Sequence, residues 1–245
     1  MQYRELAEMH AVEVDHWWFA GKRTLFKRLL RNRLAKPDLK ILDVGSGTGA
    51  VPHDFSSYGW VCATDRSVDA MRFAREKGVR NTASCDATAL PIAGGSIDIV
   101  LAFDIIEHVE DDRGMLDELA RVLKPGGAAA IHVPAWPSMW SRHDEVLEHK
   151  RRYTRRGFRK LLEESPFEIE YLGWASAAIF APAFLMRAVR RDGGGDSAGS
   201  ADIFSLPEPL NTLARGVYRV EAEIAATVGL PFGMSLAAIA RRPLS

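Results

Sequence analysis

The sequence predicts an α/β fold: a doubly wound, largely parallel sheet in three layers. Short apolar runs alternate with helix-period segments along most of the chain. Runs such as "ILDV" and "IDIVLAF" are apolar at consecutive positions, as in strands covered on both faces. The glycine turn "GSGTG" follows the first run directly, where sheets of this kind carry ligands. The 245 residues suit one such domain, large enough to bury its core without cross-links.

Residues 24–34 put Leu25, Phe26, Leu29, Leu30 and Leu34 on one helical face. "LKILDVG" reads as a first strand ending at Gly45, with a helix opening near Thr48. "WVCATD" is a second strand, and "SVDAMRFAREKG" a helix capped by Ser67 and closed by Gly78. "RNTASCD" is a weak strand and "IDIVLAFD" a strong one. "DRGMLDELARVL" follows as a helix with Met115, Leu116, Leu119, Val122 and Leu123 on one side, then "KPGG" as a turn and "AAAIHVP" as a fifth strand. Thr154 caps a helix burying Phe158, Leu161 and Leu162, and "FEIEYLGW" is a further strand. "DGGGDSAGSAD" (192–202) is a flexible loop by composition. A helix after Pro209 repeats at Leu210, Leu213, Val217, Val220 and Ile224. That stripe is expected to pack on its own domain, with a homodimer seam as the other reading. "GMSLAAIARRP" is the last strand.

The net charge of +0 disfavours an electrostatic nucleic-acid binder. Cys62 and Cys85 read as small residues of buried strands rather than a disulfide or metal pair. Their scarcity fits a reducing, cytoplasmic setting, and "MQYRELAEMH" lacks the apolar core of a signal peptide. Residues 172–186 are uncharged, but fall short of the ~20 residues of a spanning helix and contain Pro182. They read as a strand end plus a buried helix. Because "RAVRR" follows, peripheral contact with a membrane or a lipid-like substrate is the sharper reading.

In the glycine turn, Gly45 permits the sharp bend, Gly47 lets a ligand approach the backbone, and Gly49 permits close packing as the helix starts. Gly45, Gly47 and Ala50 also satisfy the dinucleotide pattern, with Asp65 ending the second strand as a ribose-binding acid. A nicotinamide-dependent oxidoreductase therefore stays open, although no second nucleotide-binding half is recognisable. Asp43, before the turn, disfavours a pyrophosphate and suits a cationic amino-acid moiety. Asp86, ending the third strand, suits an adenine amino group.

Together "LDVGSGTG", the terminal Asp65, "DATALP", "FDIIEHV" and "LKPGG" resemble the class I S-adenosylmethionine-dependent methyltransferases. The nearest group is the small-molecule one that includes quinone-biosynthesis enzymes, and the resemblance is strongest over residues 39–134. It implies a Rossmann-like, seven-stranded sheet with an antiparallel last strand. It implies a helical lid at 1–36, a cofactor-binding core at 37–135 and a substrate-side segment at 136–245. Gly45, Gly47, Gly49 and Asp43 would take the cofactor's amino-acid end. Asp65, with Arg66 beside it, would take the ribose. Asp86 and Ala87 would take the adenine, and Phe103 and Asp104 the methionine portion. "DHWWFAGKRT" also resembles a flank of this family: Trp18 would lid the cofactor and Arg23 would reach its carboxylate.

His108, in "IIEHVED", lies where cofactor and acceptor should meet and is the candidate base and acceptor contact, with a hydrogen-bonded structural histidine as the other reading. The segment "RHDEVLEHKRRYT" leaves the fifth strand above the reactive methyl. It reads as a substrate cover or a solvated loop, with His143, Asp144, His149, Arg152 and Tyr153 as candidate acceptor contacts. No metal is expected within it, because His143 and Asp144 are adjacent, His149 is on the far side and no cysteine assists. The expectation is methyl transfer to a small or amphiphilic acceptor, at oxygen, with S-adenosylhomocysteine as product, by a monomer or homodimer. A cofactor-binding scaffold without activity is the non-enzymatic alternative.

Overall fold

Seven strands form one sheet in the order β3-β2-β1-β4-β5-β7-β6 in the computed structural model, which describes residues 3–178, 180 and 206–244. The strands are β1 Leu39–Val44, β2 Gly59–Asp65, β3 Asn81–Ser84, β4 Ile97–Phe103, β5 Leu123–Pro134, β6 Glu168–Ala175 and β7 Ser235–Arg241. β1 pairs in parallel with β2 and β4, and β7 runs antiparallel to both β5 and β6. The chain order reverses between β1 and β4, so their carboxyl ends flank the crevice where such sheets bind ligands.

The helices are α1 Tyr3–Val12, α2 Trp17–Leu29, α3 Arg31–Leu34, α4 Ala50–Phe55, α5 Val68–Glu76, α6 Asp112–Val122, α7 Arg142–Val146, α8 Arg155–Glu163 and α9 Glu208–Thr227. Strand alternation sorts the core into two faces. Ile41, Ile99 and Leu101 meet Phe26 of α2, Phe55 of α4 and Ala222 of α9. Leu42, Val100 and Ala102 meet Met115 and Leu119 of α6 and Phe158 of α8. The sheet is thus covered on both sides, as the unbroken apolar strands require.

Local signals hold at several ends. Ser67 Oγ accepts the Ala70 N–H at 3.2 Å, and Thr154 Oγ1 accepts that of Gly157 at 2.9 Å, caps worth about 1 kcal/mol each. Four expectations shift. The helix over 24–34 begins earlier, at Trp17, and breaks at Leu30, which ends α2 and opens α3. The helix after the glycine turn starts at Ala50, because Gly49 is left-handed. "KPGG" is no separate turn: it lies inside β5, where the register against β4 shifts between Ile97 and Ile99. Cys62 is buried in β2, but Cys85 lies just past β3 and is only half-buried.

The largest correction concerns α9. Leu210, Leu213, Val217, Val220 and Ile224 face outward and are 41–64% exposed. The inward face carries Asn211, Tyr218, Glu221, Ala222 and Ala225. Its polar members are there to satisfy backbone. Asn211 Oδ1 accepts the Trp17 N–H, Asn211 Nδ2 donates to the Asp15 carbonyl, and Glu221 accepts the Ala178 N–H. Among the described residues no helix is long and apolar enough to cross a membrane. The loop at 192–202, "RAVRR" and most of the second half of 172–186 lie outside the described residues.

Candidate cofactor and acceptor site

The glycine turn is held from β2. The Gly45 and Ser46 N–H groups donate to the Thr64 carbonyl at 2.8 and 3.0 Å. Gly45, Gly47 and Gly49 have φ of +71°, +52° and +93°, a region costly for residues with a Cβ. Asp65 braces the turn, accepting the Gly47 N–H at 3.0 Å and the Ser67 N–H at 2.8 Å. Asp43 is almost fully buried beneath it. Its Oδ2 and the Ser46 hydroxyl are buried with no partner. Burial first, then the charges of Asp65 and Glu13, pushes the Asp43 carboxyl well above the usual range. Asp86 follows β3 and is exposed; the Thr88 N–H and hydroxyl bond its Oδ1 at 2.9 and 2.7 Å and lower its pKa. Arg66 is exposed near it and Ala87 is half-buried.

The N-terminal helices lie over this turn. A Cβ on Gly47 would meet the Met9 methyl of α1 at 2.9 Å. Just past α1, Glu13 accepts the Thr48 hydroxyl and pairs with Lys77 at 3.0 Å. The two cations of α2 divide their work. Arg23 is buried, pairs with Asp54 at 2.8 Å, and donates to the carbonyls of Glu13 and Val14. All three of its nitrogens are engaged within the protein's own frame. Lys22, one residue earlier, reaches the mouth of β4 and pairs with Asp104. Asp104 also meets His132 Nδ1 at 2.6 Å. Burial opposes ionisation of Asp104, but His132 and Lys22 outweigh it and hold the carboxyl well below the usual range. Lys22 drew no attention in the sequence; its neighbour on the same helix, Arg23, turns the other way.

Phe103 stacks on Phe26 with ring centroids 4.2 Å apart and packs in the core. Trp18 is half-buried and meets Trp17 edge-on at 5.9 Å, while Trp17 packs on Tyr218 of α9 at 5.6 Å. The Trp17–Tyr218 contact fastens α2 to α9.

Beyond β4, a single 3-10 turn, Ile106–His108, aims at the segment leaving β5. The Lys150 N–H donates to the Glu107 carbonyl at 2.7 Å, docking that segment on the turn. Asp144 is its hub. Fully buried, it accepts from Arg152 Nε at 2.6 Å and from Ser141 N–H at 2.9 Å, and meets His149 Nδ1 at 2.9 Å. Arg152 also donates to the Ala135 carbonyl at 3.1 Å, and Tyr153 OH donates to Asp112 at 3.1 Å. Tyr153 bridges in parallel to Ala135. Asp144, Arg152 and Tyr153 therefore hold the segment 142–154 in place, and their bonds run within the protein. The side chain of His143 lies outside the described residues.

The cover brings His149 against His108, with ring centroids 4.7 Å apart and planes at 85°. Glu107, His108 and His149 each offer a potential ligand atom, all within 4.8 Å of one another. Glu107 is fully buried, and neither carboxylate oxygen has a hydrogen-bond partner. Burial, then the charge of Asp104, pushes it well above the usual carboxyl range. Burial, then His149, pulls His108 down to about 4.

A sequence profile of the methyltransferase domain matches residues 42–131. An uncharacterized methyltransferase of Mycolicibacterium gilvum (strain PYR-GCK) is 30% identical over 165 residues, 63% of this chain and 61% of the relative. The demethylmenaquinone methyltransferase of Corynebacterium efficiens is 31% identical over 132 residues, 52% of this chain and 57% of the relative. Among solved structures, a putative methyltransferase from Bacillus halodurans C-125 superposes with a TM-score of 0.62 at 23% identity, over 89% of this chain and 98% of that one. The chain spans about half the length of the curated relatives it matches. Residues 42–131 thus match the methyltransferase-domain family, and the chain has the Rossmann-like fold of the solved methyltransferase it superposes on.

S-adenosylmethionine is the cofactor of the class I methyltransferases, and the residues present fit it. The unpartnered Asp43 Oδ2 and Ser46 hydroxyl would be available to its cationic amino-acid end, next to a turn in which Gly45, Gly47 and Gly49 carry no side chain.

Proposed function

We propose that the chain transfers the methyl group of S-adenosylmethionine to an oxygen of a small or amphiphilic acceptor. The observation that carries this reading is the pair of unpartnered buried acceptors, Asp43 Oδ2 and Ser46 Oγ, under the left-handed glycine turn. Buried polar groups without partners are rare in folded proteins, and a bound ligand is one way they are satisfied. When bound, the cofactor supplies an electrophilic methyl on a sulfonium.

The chain's residues do the rest. Gly45, Gly47 and Gly49 let the turn follow its left-handed path and bring its backbone to the cofactor, and Asp43 receives the ammonium, a contact that favours the ionised carboxylate. Asp65 and Asp86 take the ribose and the adenine amino group. Lys22 serves its carboxylate, exchanging Asp104 for it. Lys22 is preferred to Arg23 because Arg23 is buried and all three of its nitrogens are tied to Asp54, Glu13 and Val14. The α1–α2 cover and the segment 142–154 exclude water, which strengthens every charge contact inside. His108, uncharged at neutral pH, keeps the free lone pair a base needs. With its pKa near 4 it is a weak base, which suits an acidic phenol or enol more than an alcohol. The match to a demethylmenaquinone methyltransferase supports an amphiphilic acceptor, and the match to an O-methyltransferase of Pyrenophora dematioidea supports oxygen as the methylated atom. Such an acceptor fits a cytoplasmic enzyme working at the membrane surface, and no nucleic-acid substrate is called for by the balanced charge.

Calorimetry with S-adenosylmethionine, S-adenosylhomocysteine and NAD tests the cofactor. Both sulfur nucleotides should bind; NAD binding without them overturns the reading. Labelled methyl transfer into cell extracts then identifies the product, and a label found on carbon or nitrogen replaces the oxygen assignment.

A further inference from the structure

The expectation against metal considers residues 142–154 alone. The fold adds two groups from the β4 mouth. Glu107 and His108 come from one side and His149 from the other, with ligand atoms within 4.8 Å of one another. Glu107 is 0% exposed and has no hydrogen-bond partner on either oxygen. A carboxyl so placed is costly unless something completes it. His149 has its Nδ1 held at 2.9 Å by Asp144, which leaves Nε2 as its free nitrogen. A carboxylate behind an imidazole is the usual support of a metal-binding histidine, because it fixes the ring and raises its basicity.

We infer that Glu107, His108 and His149 bind one divalent transition-metal cation, with Asp144 positioning His149 behind it. Two imidazoles and one carboxylate suit zinc, iron, cobalt or manganese better than magnesium or calcium, which prefer all-oxygen shells. Three protein ligands leave open positions, available to the oxygens of an acceptor. The inference rests on the methyl-transfer reading only for its purpose: a cation there would hold an acceptor oxygen as its anion. The base role of His108 then belongs to the metal-free protein; with the cation bound, His108 serves as a ligand and the cation takes over holding the acceptor oxygen as its anion. The site itself stands independently of that reading.

The test is a titration of chelator-treated, full-length protein with Co2+, followed by visible absorption and calorimetry. One cobalt per chain with ligand-field bands is expected, displaced by Zn2+ and not by millimolar Mg2+. Glu107→Gln and His149→Ala should each weaken cobalt binding at least about 10-fold, the scale seen for supporting residues alone. Circular dichroism checks that both variants fold; Glu107→Gln keeps the side-chain shape, so it should. Absence of stoichiometric cobalt binding to the wild type overturns the inference, as does binding that both folded variants retain. S-adenosylhomocysteine affinity of the metal-free protein is read in parallel. Nucleotide binding without cobalt binding removes the metal site alone, and cobalt binding without nucleotide binding removes the methyl-transfer reading alone.

Discussion

Asp144 Oδ1 lies 2.6 Å from Arg152 Nε, and both side chains are buried. This pair, with His149 on the same oxygen, fixes the cover over the β4 mouth. Removing one partner of a buried pair costs about 3–5 kcal/mol, so Asp144→Ala should lose about that much in denaturant unfolding. Burial works against the Asp144 charge, but His149 and Arg152 hold its pKa below the usual value. A depressed folded pKa gives stability that is present above the unfolded value of about 3.9 and is lost as pH falls below it. The wild type should therefore lose more stability below pH ~4 than Asp144→Ala does. Equal acid sensitivity of the two proteins refutes the assignment.

Lys22 and Arg23 should separate cleanly. Arg23→Lys gives up contacts to Asp54, Glu13 and Val14 and should destabilise the fold by about 2 kcal/mol or more, since unmet buried acceptors cost that much. Its folded fraction should bind S-adenosylhomocysteine with normal affinity. Lys22→Met should do the reverse, keeping most of the stability and losing about 10-fold in affinity, the size of one charge-assisted hydrogen bond. Thermal unfolding and calorimetry on both variants decide the matter; a swap of the two outcomes restores Arg23 as the carboxylate partner.

The glycines of the turn differ in what surrounds them. A Cβ on Gly49 would lie 2.7 Å from the backbone Cα of Ala74, which cannot move aside. A Cβ on Gly47 would meet only the end of the flexible Met9 side chain. Both carry the left-handed penalty of about 1–2 kcal/mol. Gly49→Ala should therefore exceed that figure in stability, while Gly47→Ala should stay near it and lose cofactor affinity. A Gly49→Ala protein as stable as Gly47→Ala contradicts this packing.

Much of this site could be read from the chain because its signals are local. The turn, Asp65 and the caps at Ser67 and Thr154 each depend on neighbours within a few residues. Lys22 and Arg23 defeated that reading because adjacent helical residues point about 100° apart, and only the fold reveals which one meets Asp104. The grouping of Glu107, His108 and His149 joins two segments that no spacing rule connects. On α9 the periodicity was legible but its direction was not, since a three-four stripe looks the same facing in or out. The inward face is set by Asn211 and Glu221, whose partners Trp17, Asp15 and Ala178 are distant in sequence.

His108 should titrate near pH 4 in the metal-free protein, followed by the ring proton resonances. Burial and His149 both disfavour its charged form, while the unfolded chain takes up the proton near pH 6.5. The unfolded state thus binds more protons between these values, so His108 makes the fold less stable as pH falls below ~6.5, and His108→Gln should remove that slope. A ring titrating at the ordinary histidine value dismisses the buried neutral imidazole, and with it the weak-base role.

The outward stripe of α9 gives the last prediction. Leu213 is 64% exposed, whereas Tyr218 on the opposite face is 6% exposed and packs against Trp17 and over Gly21. An exposed apolar side chain contributes little to folding, so Leu213→Gln should change stability by less than about 0.5 kcal/mol. Tyr218→Ala opens a cavity between α2 and α9 and should cost about 3 kcal/mol or more. Because α2 also carries Lys22 and Arg23, the Tyr218 variant should bind S-adenosylhomocysteine more weakly as well. Denaturant midpoints of the two variants settle which face of α9 the domain uses. A cost for Leu213→Gln comparable to that for Tyr218→Ala means the stripe is covered in solution and the outward assignment fails.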